Sequence, residues 1–255
     1  QTGKISVILI CNPKAFEQNV RYIDKDLNRA FLNKNEDDYY ETKLANYLSP
    51  IIASADIVLD IHSYQSLGGP FCFLGHSNQA ELDFCLNLGI NNFVYNWSEA
   101  FSQNNNLAIG TIEYARHMNA IATTVECGHH ANSNNTEIAI STITKAMQYA
   151  KITTPTTSLS AKSHEFFKMN RVFYKEAPGK LTKKWQNFDN ISKHEVIAQY
   201  ECGKSIVAPA DGYIILPKTN TKTHNEWLYF ATKTSKPQTL SKKILTNQNN
   251  LEYDN

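Results

Sequence analysis

The chain has 255 residues, enough for one large domain or for a medium and a small one. Its 25 lysines and arginines nearly balance 24 aspartates and glutamates, and the formal net charge of +1 excludes the marked basic excess of a typical nucleic-acid binder. No apolar run is long enough to span a bilayer and no secretory signal is visible; the five cysteines (Cys11, Cys72, Cys85, Cys127, Cys202) form no CxxC pair, so buried thiols in a reducing, cytoplasmic setting are expected ahead of a disulfide framework.

The chain starts at Gln1 rather than at methionine, and a segment upstream of it is expected to be missing. The first apolar run, Lys4–Cys11, is predicted to be a buried strand and leads straight into Asn12. A helical pattern follows over Asp38–Ala53, where Pro50 is expected to unsettle the last turn. Ala55–Ile61 is a second predicted strand and ends at His62. Ser77–Gly89 places Leu82, Cys85 and Leu86 on one helical face, with Gly89 as a stop signal. A third strand, Ala120–Val125, ends at Glu126, and Thr136–Ala150 carries Ala139, Ile143, Ala146 and Met147 at helical spacing. Strands alternating with helices imply a mostly parallel α/β sheet, whose ligands bind at the carboxyl ends of the strands, where His62 and Glu126 fall.

Lys151–Ser163 is rich in Thr, Ser and Lys and reads as a linker. Beyond it the style changes. Glu195–Gln199, Ser205–Ala208, Gly212–Leu216 and Trp227–Ala231 are short apolar runs bounded by turn residues, which suggests a small all-β domain. The division is therefore an α/β domain over 1–155, a β-rich domain over 163–232 and a polar tail over 233–255.

Three constellations carry chemistry. Arg21, Asp26, Asn28 and Arg29 cluster just after the first run. An arginine fork holds a carboxylate by two parallel hydrogen bonds, and Asn28 can donate to a carbonyl or carboxylate. The alternative is a solvated loop with surface ion pairs. In Asp60-Ile61-His62-Ser63, residues i and i+2 of a strand share a face, so Asp60 and His62 point the same way and His62 is a candidate metal ligand; a hydrogen-bonded structural histidine is the other reading. In Thr124-Val125-Glu126-Cys127-Gly128-His129-His130, a carboxylate at a strand end is a candidate general base if burial raises its pKa, or else closes the strand as a cap or ion pair. His129 and His130 stay unassigned, because adjacent residues on a strand face opposite sides.

Taken in this order, the three resemble the succinylglutamate desuccinylase/aspartoacylase family of zinc carboxypeptidase-like amidohydrolases. Asn12-Pro13 with Arg21 and Asp26-Leu27-Asn28-Arg29 is similar to its substrate-binding segment. Asp60-Ile61-His62 is similar to its distal metal-ligand motif. Gly110-Thr111-Ile112-Glu113-Tyr114-Ala115-Arg116 and Thr124-Val125-Glu126-Cys127-Gly128 resemble the stretch ending in its catalytic glutamate, and Val207-Ala208-Pro209-Ala210-Asp211-Gly212-Tyr213 its C-terminal β-domain.

The resemblance implies a mixed sheet flanked by helices, followed by a smaller all-β domain. It implies Zn2+ held by two histidines and a glutamate, with His62 as the second histidine. Glu126 becomes the general base. Arg21, Asn28, Arg29 and Arg116 become binders of a small-molecule carboxylate substrate, and Asp26 a partner orienting a metal histidine. The expected activity is hydrolysis of an amide bond in an N-acylated amino acid, with a carboxypeptidase acting on short peptides, or a non-catalytic carboxylate binder that has lost its metal, as alternatives. No His-x-x-Glu precedes Arg21, so two ligands are expected upstream of Gln1, and the lost strand and helix are expected to leave apolar surface that drives self-association.

Overall fold

The structure, a computed structural model, describes residues 3–31, 38–75, 79–102, 110–154 and 163–237. Among these, an eight-stranded mixed sheet forms the spine. Its strands are β1 (Ile57–Tyr64), β2 (Phe71–Phe73), β3 (Asn92–Tyr95), β4 (Ile121–His129), β5 (Glu165–Tyr174), β7 (Asn190–Ile191), β10 (Gly212–Ile215) and β11 (Glu226–Thr234). The order across the sheet is β1-β4-β2-β3-β5-β11-β10-β7. A smaller three-stranded sheet joins β6 (Gly179–Leu181), β8 (Val196–Tyr200) and β9 (Ser205–Val207). The helices are α1 (Pro13–Glu17), α2 (Tyr40–Ala53), α3 (Gln79–Asn87), α4 (Trp97–Ser102), α5 (Thr111–His117) and α6 (Asn135–Tyr149).

Alternation along β1 and β4 sets the layers. Ile57, Leu59, Ile61, Val125 and Cys127 pack with Leu82, Phe84 and Leu88 of the α3 region and with Ile138, Ala139 and Ala146 of α6. The intervening residues Val58 and Ala122 pack with Ala45, Leu48 and Ile52 of α2 and with Ile112 and Ala115 of α5. Successive strand residues face opposite sides, so Asp60 and His62 continue the Val58 row, while Thr124 and Glu126 continue the Ala122 row. Both rows therefore end on the α2/α5 face. The strands are parallel and in register, with His62 opposite Glu126.

Several expectations are corrected. Lys4–Cys11 forms no strand; residues 3–11 belong to no regular element, and Val7 is 70% and Leu9 89% exposed. A strand is held by ladder partners and by packing on its faces; among the described residues this run pairs with no strand, and β1, at the end of the sheet, pairs with β4 alone. Pro50 does not end α2, which runs on to Ala53. Proline removes one backbone donor, and the burial of Leu48 and Ile52 outweighs that loss. β11 runs to Thr234, two residues into the polar stretch that follows Thr232. The proposed linker falls partly on 155–162, outside the described residues.

The C-terminal strands are not set apart from the large sheet. β5 pairs with β3 on one side and with β11 on the other, and β11 carries β10 and β7. An aromatic core runs beneath them, with Phe71, Phe101, Phe167 and Tyr229 among its buried members. No helix among the described residues is long and apolar enough to cross a membrane.

Candidate active site

The site grows from the carboxyl ends of β1 and β4. His62 Nε2–H donates to Asp60 Oδ2 at 3.1 Å, and His62 Nδ1 lies 3.9 Å from Glu126 Oε1. The glycine after Cys127 allows this: Gly128 adopts φ +134°, where an ordinary residue is strained, and the pairing of β1 with β4 slips there, after Glu126 has been set opposite His62.

The electrostatics follow from burial and proximity. The Asp60 charge and hydrogen bond, opposed by burial, push the His62 imidazole up to about 9; Glu126 adds to this and Arg21 opposes it. Burial raises the Asp60 carboxyl, but His62 together with a hydrogen bond from Thr111 outweighs it, and the net direction is down. Glu126, with a side chain 9% exposed, is raised above the ordinary carboxylate value chiefly by burial; Asp60 adds to the rise, and His62 and Arg21 oppose it. Glu126 Oε2 is buried without a hydrogen-bond partner among the described residues. Such an orphan acceptor is costly unless something else meets it.

The substrate-segment residues reach the same end of the sheet through side-chain anchors. Arg21 donates from Nε and Nη2 to Asp26 Oδ2, at 3.0 and 2.8 Å, yet its side chain is 66% exposed and its charge reaches both His62 and Glu126. Asp26 Oδ1 also accepts from the Asn28 N–H at 3.0 Å, which caps the 3₁₀ turn Leu27–Arg29. Asn28 Oδ1 accepts from the Thr111 N–H at 3.1 Å and so caps α5, leaving its Nδ2 as donor. A Cβ on Gly110 would strike Asn28 Oδ1, so this docking requires glycine. Thr111 in turn bonds Asp60. A continuous path therefore joins Arg21, Asp26, Asn28, Thr111, Asp60, His62 and Glu126.

Arg29 is half-buried beside this path. Its Nη2 donates to Glu226 Oε1 at 3.0 Å, its Nη1 to the Asn28 carbonyl at 2.9 Å, and its guanidinium lies over the Phe101 ring. Glu226 also accepts from Lys218 Nζ at 3.0 Å and from the Tyr229 hydroxyl at 2.6 Å. Sequence reading missed Glu226, Lys218 and Tyr229, and gave Thr111 no role of its own within the Gly110–Arg116 motif. A lone Glu far along the chain carries no local signal, and only the fold brings it here.

Arg116 is not joined to the path. Its Nε and Nη2 donate to the buried Glu81 at 3.0 and 2.9 Å, Nη2 also donates to the Ala122 carbonyl, and Nη1 lies 3.7 Å from Glu113. Arg116 is thus held in an ion pair between α5 and the buried Glu81 of α3. His130 Nδ1 meets Ser63 Oγ at 2.7 Å, and His129 Nδ1 accepts from the Ala131 N–H.

The residues present fit part of a zinc site. His62 with Asp60 on its far nitrogen is the arrangement of a metal-ligating histidine and its orienting carboxylate, and the orphan Glu126 Oε2 suits a base facing a water. Three donors are the usual minimum from the protein, and no group of three or more His, Cys, Asp or Glu that could hold a metal ion occurs among the described residues. The described residues therefore do not by themselves make a zinc site.

Comparison with known proteins places the chain. A probable aspartoacylase from Prochlorococcus marinus (strain MIT 9515) is 40% identical over 87 residues, which cover 31% of this chain and 28% of that protein. An N-acyl-aromatic-L-amino acid amidohydrolase (carboxylate-forming) from Xenopus laevis is 41% identical over 69 residues, 23% of each chain. The matched stretch thus spans less than a third of these relatives. Among solved structures, a succinylglutamate desuccinylase/aspartoacylase from Rhodobacter sphaeroides superposes with a TM-score of 0.70 at 13% identity, over 89% of this chain and 74% of that one. Murine aminoacylase 3 does so with a TM-score of 0.66 at 15% identity, over 88% and 82%. These two likenesses establish a shared fold, the mixed α/β sheet with a smaller strand-rich part. Residues 1–150 match the succinylglutamate desuccinylase/aspartoacylase catalytic domain, and the chain belongs to that family.

Proposed function

We propose that this protein is a zinc-dependent deacylase that hydrolyses the amide bond of an N-acylated amino acid or a similar small carboxylate. The observation that carries the reading is the buried, orphaned carboxylate of Glu126, raised in pKa and facing His62, with the exposed Arg21 guanidinium close enough to influence both. A general base for water near neutrality needs such a raised carboxylate. Glu126 takes a proton from the attacking water as its oxygen bonds the acyl carbon; the C–N bond then breaks and the proton passes to the departing amine. Arg21 and Asn28 hold the substrate carboxylate, and Arg29, aimed by Glu226, completes the clamp. Zinc, with His62 among its ligands and the remaining donors from outside the described residues, would polarise the scissile carbonyl. The relatives named as aspartoacylase and N-acyl-aromatic-L-amino acid amidohydrolase support the acyl amino acid as substrate class.

The test is release of free amino acid by the full-length protein from a panel of N-acetyl amino acids and, in parallel, from dipeptides. Hydrolysis of the acetyl compounds is expected. Turnover of dipeptides alone would replace the deacylase with a carboxypeptidase, and carboxylate binding without any turnover would leave a binding protein.

A further inference from the structure

Glu41, near the start of α2, is fully buried at 0% exposure and takes no part in the mechanism above. Its Oε1 accepts from Asn12 Nδ2 at 3.0 Å and from the Ile23 N–H at 2.7 Å. Its Oε2 accepts from the Asp24 N–H at 3.0 Å and the Lys25 N–H at 3.2 Å. Three consecutive backbone N–H groups thus converge on one carboxylate, the arrangement of an anion-binding nest filled from within the chain. The attachment is reciprocal, because the Tyr40 N–H at the start of α2 donates to Asp24 Oδ2 at 2.7 Å. Burial works to raise the Glu41 pKa, but the four bonds, led by that from Ile23, bring it down to about 2.

What Glu41 holds matters more than how firmly. Residues 21–26 belong to no α-helix or strand, and Leu27–Arg29 is a single 3₁₀ turn. A segment of this kind takes its shape from side-chain anchors. At its far end the anchor is Asn28 on Thr111. At its near end it is Glu41, which grips the three residues immediately before Asp26, and Asp26 in turn holds Arg21 and caps Asn28.

We propose that Glu41 is a positioning residue for substrate recognition: it fixes residues 23–25 so that Arg21 and Asn28 meet the substrate carboxylate at a set spacing. This rests on reading residues 21–29 as the carboxylate-binding segment. Glu41→Gln keeps the side-chain shape but turns an NH2 donor toward N–H groups that themselves need an acceptor, so the segment loosens while α2 stays in place.

The experiment compares the full-length protein with its Glu41→Gln and Arg21→Ala variants. It uses steady-state hydrolysis of the N-acetyl amino acid turned over best, and hydrogen–deuterium exchange of peptides covering residues 20–31. In Glu41→Gln we expect KM to rise by about tenfold, the scale of a lost charge-assisted contact, with kcat little changed, and exchange to quicken across 20–31 but not in α6. A scaffold role predicts otherwise: a lower Tm and a lower kcat with KM unmoved, and that result overturns the proposal. Unchanged KM in Arg21→Ala removes the carboxylate-binding reading and the proposal with it. A raised KM in Arg21→Ala beside unchanged KM and exchange in Glu41→Gln removes the proposal alone. Should Glu41→Gln fail to fold, Asn12→Ala deletes one donor to the same carboxylate and carries the same test, with a smaller expected rise in KM and in exchange over 20–31.

Discussion

At Glu126 burial and the Asp60 charge pull against His62 and Arg21, and burial prevails. That balance is what a base working near neutrality requires, and it makes the residue separable from the fold. Glu126→Gln preserves shape and removes only the proton acceptor, so kcat is expected to fall by roughly 10²–10⁴, the usual contribution of a positioned base, while the thermal unfolding midpoint barely moves. Near-normal turnover in that variant would end the assignment. Arg29 presents a second single-residue case. Its guanidinium is held at two points, by Glu226 and by the Asn28 carbonyl, and lies over Phe101. Lysine offers a point charge in place of that planar fork. Arg29→Lys is expected to raise KM for carboxylate substrates by the equivalent of about 1.5–3 kcal/mol, with little effect on kcat. Steady-state kinetics across several acyl amino acids checks this, and identical KM values throughout would count against it.

Between elements, the contact that most constrains the site joins the 3₁₀ turn Leu27–Arg29 to the first turn of α5. Asn28 caps the helix, and the bare Cα of Gly110 leaves the room for it. Adding one methyl there forces the amide away from Thr111, and Thr111 is the bridge to Asp60. Gly110→Ala is therefore expected to cost about 1–3 kcal/mol in stability, the usual scale of overpacking, and to impair activity as well. Urea unfolding measures the first effect, and a fully stable, fully active variant would show that the docking is dispensable. The same contact explains what periodicity could not show. The Gly110–Arg116 stretch stood out in the sequence for its resemblance to a family motif. Its role as a helix capped from a loop 83 residues earlier depends on a pairing no local pattern encodes.

Across the whole molecule, two carboxylates, the buried Glu41 and the partly buried Glu226, tie distant parts together. Glu41 binds the loop at 23–25 to α2, and Glu226 on β11 binds Arg29 to the strand-rich C-terminal part. Burial raises both pKa values, yet the backbone bonds at Glu41, and Lys218 with Arg29 at Glu226, bring each down from 4.5 to about 2. A folded-state pKa below the unfolded one means that the unfolded chain binds the proton more readily. The stabilisation is then complete above about pH 4.5 and is lost as pH falls towards 2. It amounts to at most roughly 3 kcal/mol for each group. Urea midpoints measured from pH 7 down to pH 3 should fall with pH, and less steeply in Glu226→Gln, which starts from lower stability; a flat profile in the unaltered protein would contradict both assignments. The sequence by itself pointed to the strands that carry the chemistry, because the apolar runs before His62 and Glu126 are short, rich in β-branched residues and end where polar residues begin. It also determined the family, through short motifs whose residue types the chemistry requires. It misread Lys4–Cys11, since an apolar run reports a wish for burial and not the presence of a partner to bury it. Only the tertiary structure decided that Arg116 belongs to Glu81, that Arg29 is aimed by Glu226 and that Glu41 organises the loop before Asn28. Each of these is a long-range contact of a charged side chain, and a charge in a sequence looks the same whether it will face solvent, substrate or a buried partner.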